Sequence, residues 1–117
     1  MALTLDVKKA GAVTVVGCRG VIVYGAESEE LRARLKELLA STHSLVLDMA
    51  EVGYVDSGGL GAIVGLLTSA RAAGGDLKLA RPSERVQHVL RITKLLSVVE
   101  TYDTVEAAVA TYGHAAA

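Results

Sequence analysis

The chain has 117 residues, 51% of them hydrophobic and 21% charged, which suits one folded domain with a real core and excludes intrinsic disorder. Twelve basic against 13 acidic side chains leave a net charge of -1, so no bulk attraction draws the chain to nucleic acid or anionic lipid. The aromatic residues are four tyrosines, too few for a base-stacking platform, and the core has to be aliphatic.

Cys18 stands alone, which rules out an internal disulfide or a cysteine zinc site and fits a reducing compartment; the cytoplasm is the expected location. The longest charge-free run, Ser57 to Ala70, has 14 residues and is interrupted by glycines. A membrane-spanning helix needs ~18 apolar residues, so no span is expected. The first residues carry no small-residue cleavage signature of a secretory signal.

In chain order, Leu3, Leu5 and Val7 alternate with Thr4, Asp6 and Lys8, the period of a strand with one wet face. Gly11 marks a turn, and residues 12–23 continue as a β-branched, apolar return, with Gly20 a bulge or break. Leu31, Leu35, Leu38 and Leu39 follow at helical spacing, with Ser28 as the candidate N-cap. Leu45 to Leu47 form a short continuous apolar strand that leads to Asp48 and on to Asp56.

A second helix starts near Ser57 and carries Leu60, Ile63, Val64 and Leu67 on one face until Gly74-Gly75 stops it. Leu77 and Leu79 make the next strand. Pro82-Ser83 opens a third helix, Val98-Val99 read as strand, and Asp103 with Glu106 have capping-box spacing before a last helix through Tyr112. Strands alternating with helices imply a single α/β domain with a mixed β-sheet and about four α-helices, antiparallel at the first hairpin and parallel afterwards. The domain is expected over residues 1–113, with 114–117 a disordered tail.

The informative stretch is Tyr54-Val55-Asp56-Ser57-Gly58-Gly59-Leu60-Gly61, where a strand passes through a turn into a helix. Strand ends of this kind are the usual site positions in α/β folds, and free amides at a helix start favour an anion. Ser57 has two readings on local chemistry: an ordinary N-cap, or a functional hydroxyl. Gly58, Ala62, Gly65 and Ser69 form a small-residue stripe on the following helix, against which a partner backbone or a neighbouring helix could pack closely.

Leu45-Val46-Leu47-Asp48-Met49-Ala50, then Val55-Asp56-Ser57-Gly58-Gly59-Leu60-Gly61-Ala62, resembles the STAS domain of bacterial anti-sigma factor antagonists. The resemblance runs on through Gly74-Gly75-Asp76-Leu77-Lys78-Leu79 to Glu106-Ala107-Ala108. It implies a partner-switching regulator that binds an anti-sigma factor with serine kinase activity while unphosphorylated and leaves it when phosphorylated, a serine phosphatase restoring the first state. By motif position the phosphoacceptor is Ser57, and the partner-binding residues are Asp56, Ser57, Gly58, Gly59, Gly61, Ala62 and Gly65. The expected state is a monomer or weak dimer without cofactor or metal. Two departures from the pattern stand out: Gly58 occupies a position often held by a second Ser or Thr, and Gly20-Val21-Ile22-Val23-Tyr24 lacks the acidic residues common there. A stressosome-like scaffold or ligand-sensing module without a phosphoswitch is the alternative.

An enzyme would need Ser57 as nucleophile with His43, His88 or His114 as base. Val55 stands where the G-x-S-x-G elbow needs glycine, and the histidines, 45 and 26 residues apart, have no metal-ligand spacing. The glycines at 58–61 lack the lysine of a phosphate loop. Residues 71–94 hold six basic and two acidic side chains, an excess suited to an acidic partner or simply to a solvated helix face.

Overall fold

The computed structural model describes residues 3–113, so the expected tail at 114–117 lies outside the described residues. Strands β1 (Leu3–Ala10), β2 (Val13–Ile22), β3 (Ser44–Val55), β4 (Asp76–Ala80) and β5 (Thr101–Tyr102) form one sheet in that spatial order. The β1–β2 pair is antiparallel and every other pair parallel, as the alternation of elements implied. Helices α1 (Ala26–Leu39), α2 (Ser57–Ala72), α3 (Glu84–Ile92) and α4 (Val105–Ala110) are the crossovers and the closing element.

Alternation along the strands sends two sets of side chains to opposite faces of the sheet. Leu45, Leu47 and Met49 of β3 and Leu77 and Leu79 of β4 meet Leu31 and Leu35 of α1, Ile63 and Leu66 of α2, and Leu90 of α3 in the main core. Each such fully buried aliphatic side chain contributes roughly 1.5–3 kcal/mol. A smaller cluster of Val13, Val15, Val46, Ala80 and Ala108 lies on the other face beneath α4.

Helix α4 has only six residues and cannot stand alone. Its end is tied to the sheet by polar contacts. The Tyr112 hydroxyl lies 2.6 Å from the Leu45 carbonyl and 2.9 Å from that of Asp76. The Lys78 ammonium, almost wholly buried on β4, donates to Thr111 Oγ1 at 2.7 Å, pairs with Glu100 at 3.3 Å and sits 4.2 Å from the Tyr112 ring centroid.

Several local expectations are corrected. Strand β3 runs well beyond Leu47, because α4 covers only its first half; past Asp48 one face is wet, and the apolar run that marks a doubly buried strand stops while the strand continues. Val98-Val99 is not a strand: Lys94 takes a left-handed conformation (φ 63°), a 3-10 turn covers Leu95–Ser97, and pairing resumes at β5. Ser28 does not cap α1. Gly25, with φ 106°, precedes the helix, and Ser28 is buried within it, its hydroxyl donating to the Val23 carbonyl at 2.5 Å. Thr104 rather than Asp103 caps α4, accepting from Ala107 N at 3.0 Å. Ser83 does cap α3, and Gly20 (φ 124°) lies at a register shift in β2.

Cys18 is buried in the main core, and burial, reinforced by the Asp48 carboxylate, pushes its thiol up to about 12. The native protein should therefore resist alkylation at neutral pH and react only on unfolding, a difference that mass spectrometry after iodoacetamide treatment reads directly.

Glycines in α2 differ sharply in what they permit. A Cβ on Gly59 would lie 1.9 Å from the Ile22 carbonyl oxygen, whereas one on Gly61 would meet nothing within 4 Å. Gly59→Ala should lower the melting temperature by about 10 °C or prevent folding, and Gly61→Ala should raise it by a few degrees, worth up to ~1 kcal/mol of helix propensity. Thermal melts of the two variants beside the wild type check both directions.

Candidate functional site

The site lies where β2 and β3 end and α2 begins, at the carboxyl edge of the parallel strands. Asp56 is the N-cap of α2, in extended backbone conformation, and its Oδ1 accepts from Gly59 N at 2.8 Å. Both of its carboxylate oxygens also lie 3.1 Å from the backbone N–H of Tyr24, in the loop after β2. The Asp56 N–H donates to the Ile22 carbonyl at 3.3 Å, so this one residue joins the ends of two strands and the start of a helix.

The Gly59 amide, with further amides at Tyr24 and Gly58, holds the Asp56 carboxyl below the usual carboxylate range against the opposing effect of burial. Ser57 is thereby relieved of the capping role that its type allows. It is exposed in the first turn of α2, and its hydroxyl makes no hydrogen bond among the described residues. The side chain is free to react with, or touch, another molecule.

The two glycines that follow are explained by close approach rather than by anion binding. A Cβ on Gly58 would lie 2.5 Å from the Tyr24 Cβ and 2.8 Å from its Cα, and Gly59 is pressed on Ile22. A serine or threonine at Gly58 would collide with the Tyr24 backbone. The sequence's small-residue stripe is thus divided: Ala62 is fully buried and Gly58 and Ser69 partly so, while Gly65 is exposed. The outward face of small residues runs instead through Ser57, Gly61, Gly65 and Thr68. Gly59 and Ala62 have no surface to offer a partner; they set how closely α2 packs on the sheet.

Sequence reasoning assigned no role to Tyr24 or Tyr54. Tyr24 is 82% exposed beside Gly58, and Tyr54, near the end of β3, is 41% exposed with the Arg85 guanidinium 5.5 Å from its ring centroid. Only the long-range pairing of Tyr24 with Asp56 reveals the first of them, and no local pattern encodes it. The histidines do not converge on Ser57. His43 precedes β3, a full strand length from Ser57, His88 is exposed on α3, and His114 lies outside the described residues. Among the described residues no group of three or more His, Cys, Asp or Glu side chains could hold a metal, and no helix is long and apolar enough to cross a membrane.

A sequence profile of the STAS domain matches residues 4–108. The anti-sigma-B factor antagonist of Bacillus subtilis strain 168 is 35% identical over 101 residues, covering 86% of this chain and 91% of that protein. A candidate anti-sigma factor antagonist homologue from Thermotoga neapolitana is 41% identical over 66 residues, 56% of this chain; the match spans 58% of that relative's length. The crystal structure of a candidate anti-sigma factor antagonist from Thermotoga maritima superposes with a TM-score of 0.85 at 26% identity, covering 92% of each chain.

Asp56→Ala removes the cap of α2 and the tie to Tyr24 together and should cost about 1–2 kcal/mol at pH 7. The folded carboxyl titrates below its unfolded value of about 3.9, so its contribution is fully present above that value and is lost as pH falls through the folded one. Denaturant melts of wild type and variant should therefore differ by the full amount at neutral pH, and the difference should shrink only as the pH falls below about 4 and through the folded value.

Proposed function

The chain belongs to the STAS domain family, and from that membership we propose that it acts as an anti-sigma factor antagonist switched at Ser57. In this reading the unphosphorylated chain binds an anti-sigma factor that is also a serine kinase. Phosphorylation of Ser57 by that kinase ends the association, and a serine phosphatase reverses it. The observation that carries the proposal is the division of labour at the start of α2: Asp56 supplies the cap, and Ser57 is left exposed with an unengaged hydroxyl.

The local physics suits a switch that acts at an interface rather than through the fold. A phosphate on Ser57 adds about -1.5 to -2 charges at the positive end of the α2 dipole, where the helix tolerates an anion. The same charge stands next to the ionised Asp56 and amid the small residues Gly61 and Gly65, where a partner surface has to come close. Repulsion, bulk and desolvation then oppose docking while the hydrogen bonds of Asp56 keep the helix start in place.

The purified cognate kinase and ATP should place a single phosphate on the wild-type chain and none on Ser57→Ala, as read by phosphopeptide mapping. Ser57→Asp should bind the kinase at least tenfold more weakly than wild type in calorimetry, a loss of about 1.4 kcal/mol, with its melting temperature within a few degrees of wild type. Equal affinities for Ser57→Asp and wild type, or phosphate incorporated elsewhere, would overturn the switch.

A further inference from the structure

The structure resolves the basic excess of residues 71–94 into two groups. Arg71 pairs with Asp76 at 2.9 Å, Lys78 with Glu100 at 3.3 Å, and Arg81 with Asp48 at 2.6 Å. The other three, Arg85, Arg91 and Lys94, are exposed on α3 or just after it and form no ion pair among the described residues; Glu84 is the one acidic side chain on that helix. By contrast, α1 mixes Glu29, Glu30 and Glu37 with Arg32, Arg34 and Lys36, the composition of a solvated face.

Buried Val86 and Leu90 turn one side of α3 to the core, which puts Arg85, His88 and Ile92 on the opposite side at helical spacing. Ile92 is 63% exposed, the most exposed aliphatic side chain among the large hydrophobic ones at the surface. The helix dipole accounts for cations in the last turn, but it disfavours Arg85 in the first turn and says nothing about Ile92. Arg85 is in addition held over the Tyr54 ring, so its guanidinium is positioned rather than free to wander.

We propose that the outer face of α3, with Ile92 as its apolar centre and Arg85, His88, Arg91 and Lys94 around it, is a docking surface for an acidic amphipathic segment of a protein partner. Positioned arginine and an exposed large apolar group, next to an aromatic ring, are the composition of an interface centre. The cations select an acidic partner by complementarity. Two cations on α3 and a third just after it, in a net-negative chain, are few for a phosphate backbone or a lipid surface, and a central isoleucine has no role against a phosphate backbone. This face does not require Ser57 to be phosphorylated, so its test stands apart from that of the switch.

The uniformly nitrogen-15 labelled chain is titrated with a synthetic amphipathic helical peptide of glutamate and leucine and followed by amide chemical shifts. Parallel titrations use the same peptide with lysine for glutamate, a single-stranded oligonucleotide, and phosphatidylglycerol vesicles. Only the acidic peptide should shift the amides of residues 84–96, with a Kd below about 1 mM that weakens with salt. Arg91→Gln and Ile92→Ser, at exposed positions where folding is not at stake, should each weaken it by roughly tenfold with the melting temperature within a few degrees of wild type. Absence of shifts on α3, equal binding of the lysine peptide, or shifts on α3 caused by the oligonucleotide or the vesicles would overturn the proposal.

Discussion

The Asp56 carboxylate is the joint on which the carboxyl edge of this sheet depends. It receives the Gly59 amide from α2 and the Tyr24 amide from the loop after β2, while its own amide goes to the Ile22 carbonyl. Neutral groups could cap the helix, but only a carboxylate presents two oxygens toward Tyr24 while one of them also holds the helix start. The geometry demands glycine at positions 58 and 59, because the backbone of the first turn is drawn against Tyr24 and Ile22. Ser57 owes its freedom to this arrangement, since the capping work is already done by its neighbour.

Charge is distributed over the fold with the same economy. Within the sheet and beneath α4, cations are held by specific partners: Lys78 between Glu100, Thr111 and a tyrosine ring, and Arg81 in a two-point contact with Asp48. For Asp48, burial raises the carboxyl and the hydrogen bonds from Arg81 and Ala50 more than reverse that, leaving it ionised and depressed. The surface around α2 carries few charges apart from Asp56, and that of α3 carries unpaired ones. The exposed faces of α2 and α3 thus differ in kind, one small and nearly neutral, the other basic.

Much of the fold was legible because its signals are local. Period-two alternation marked β1, helical spacing of leucines marked α1 and α2, and Gly74-Gly75 and Pro82-Ser83 marked a stop and a start. The misreadings have two causes, one a contact distant in sequence and the other a choice among neighbouring residues for a cap or a turn, as at Ser28, Thr104 and Lys94. β3 outlasts its apolar run because α4, some 50 residues on, covers only part of it, whereas Val98-Val99 is β-branched yet kept out of the sheet by the local turn at Lys94. The candidate site divides the same way. The Asp-Ser-Gly-Gly run could be read directly, but which of Asp56 and Ser57 caps the helix is settled by Tyr24, 32 residues earlier.

The anchoring of α4 has a further consequence for how this domain can be connected. Tyr112 is fastened to Leu45 and Asp76, the first turns of backbone in β3 and β4, whereas Ser57 follows the far end of β3. Gly113 therefore lies at the opposite end of β3 from Ser57. A fluorophore or affinity handle placed on an exposed position near Gly113 therefore reports on the molecule from a strand length away from the start of α2.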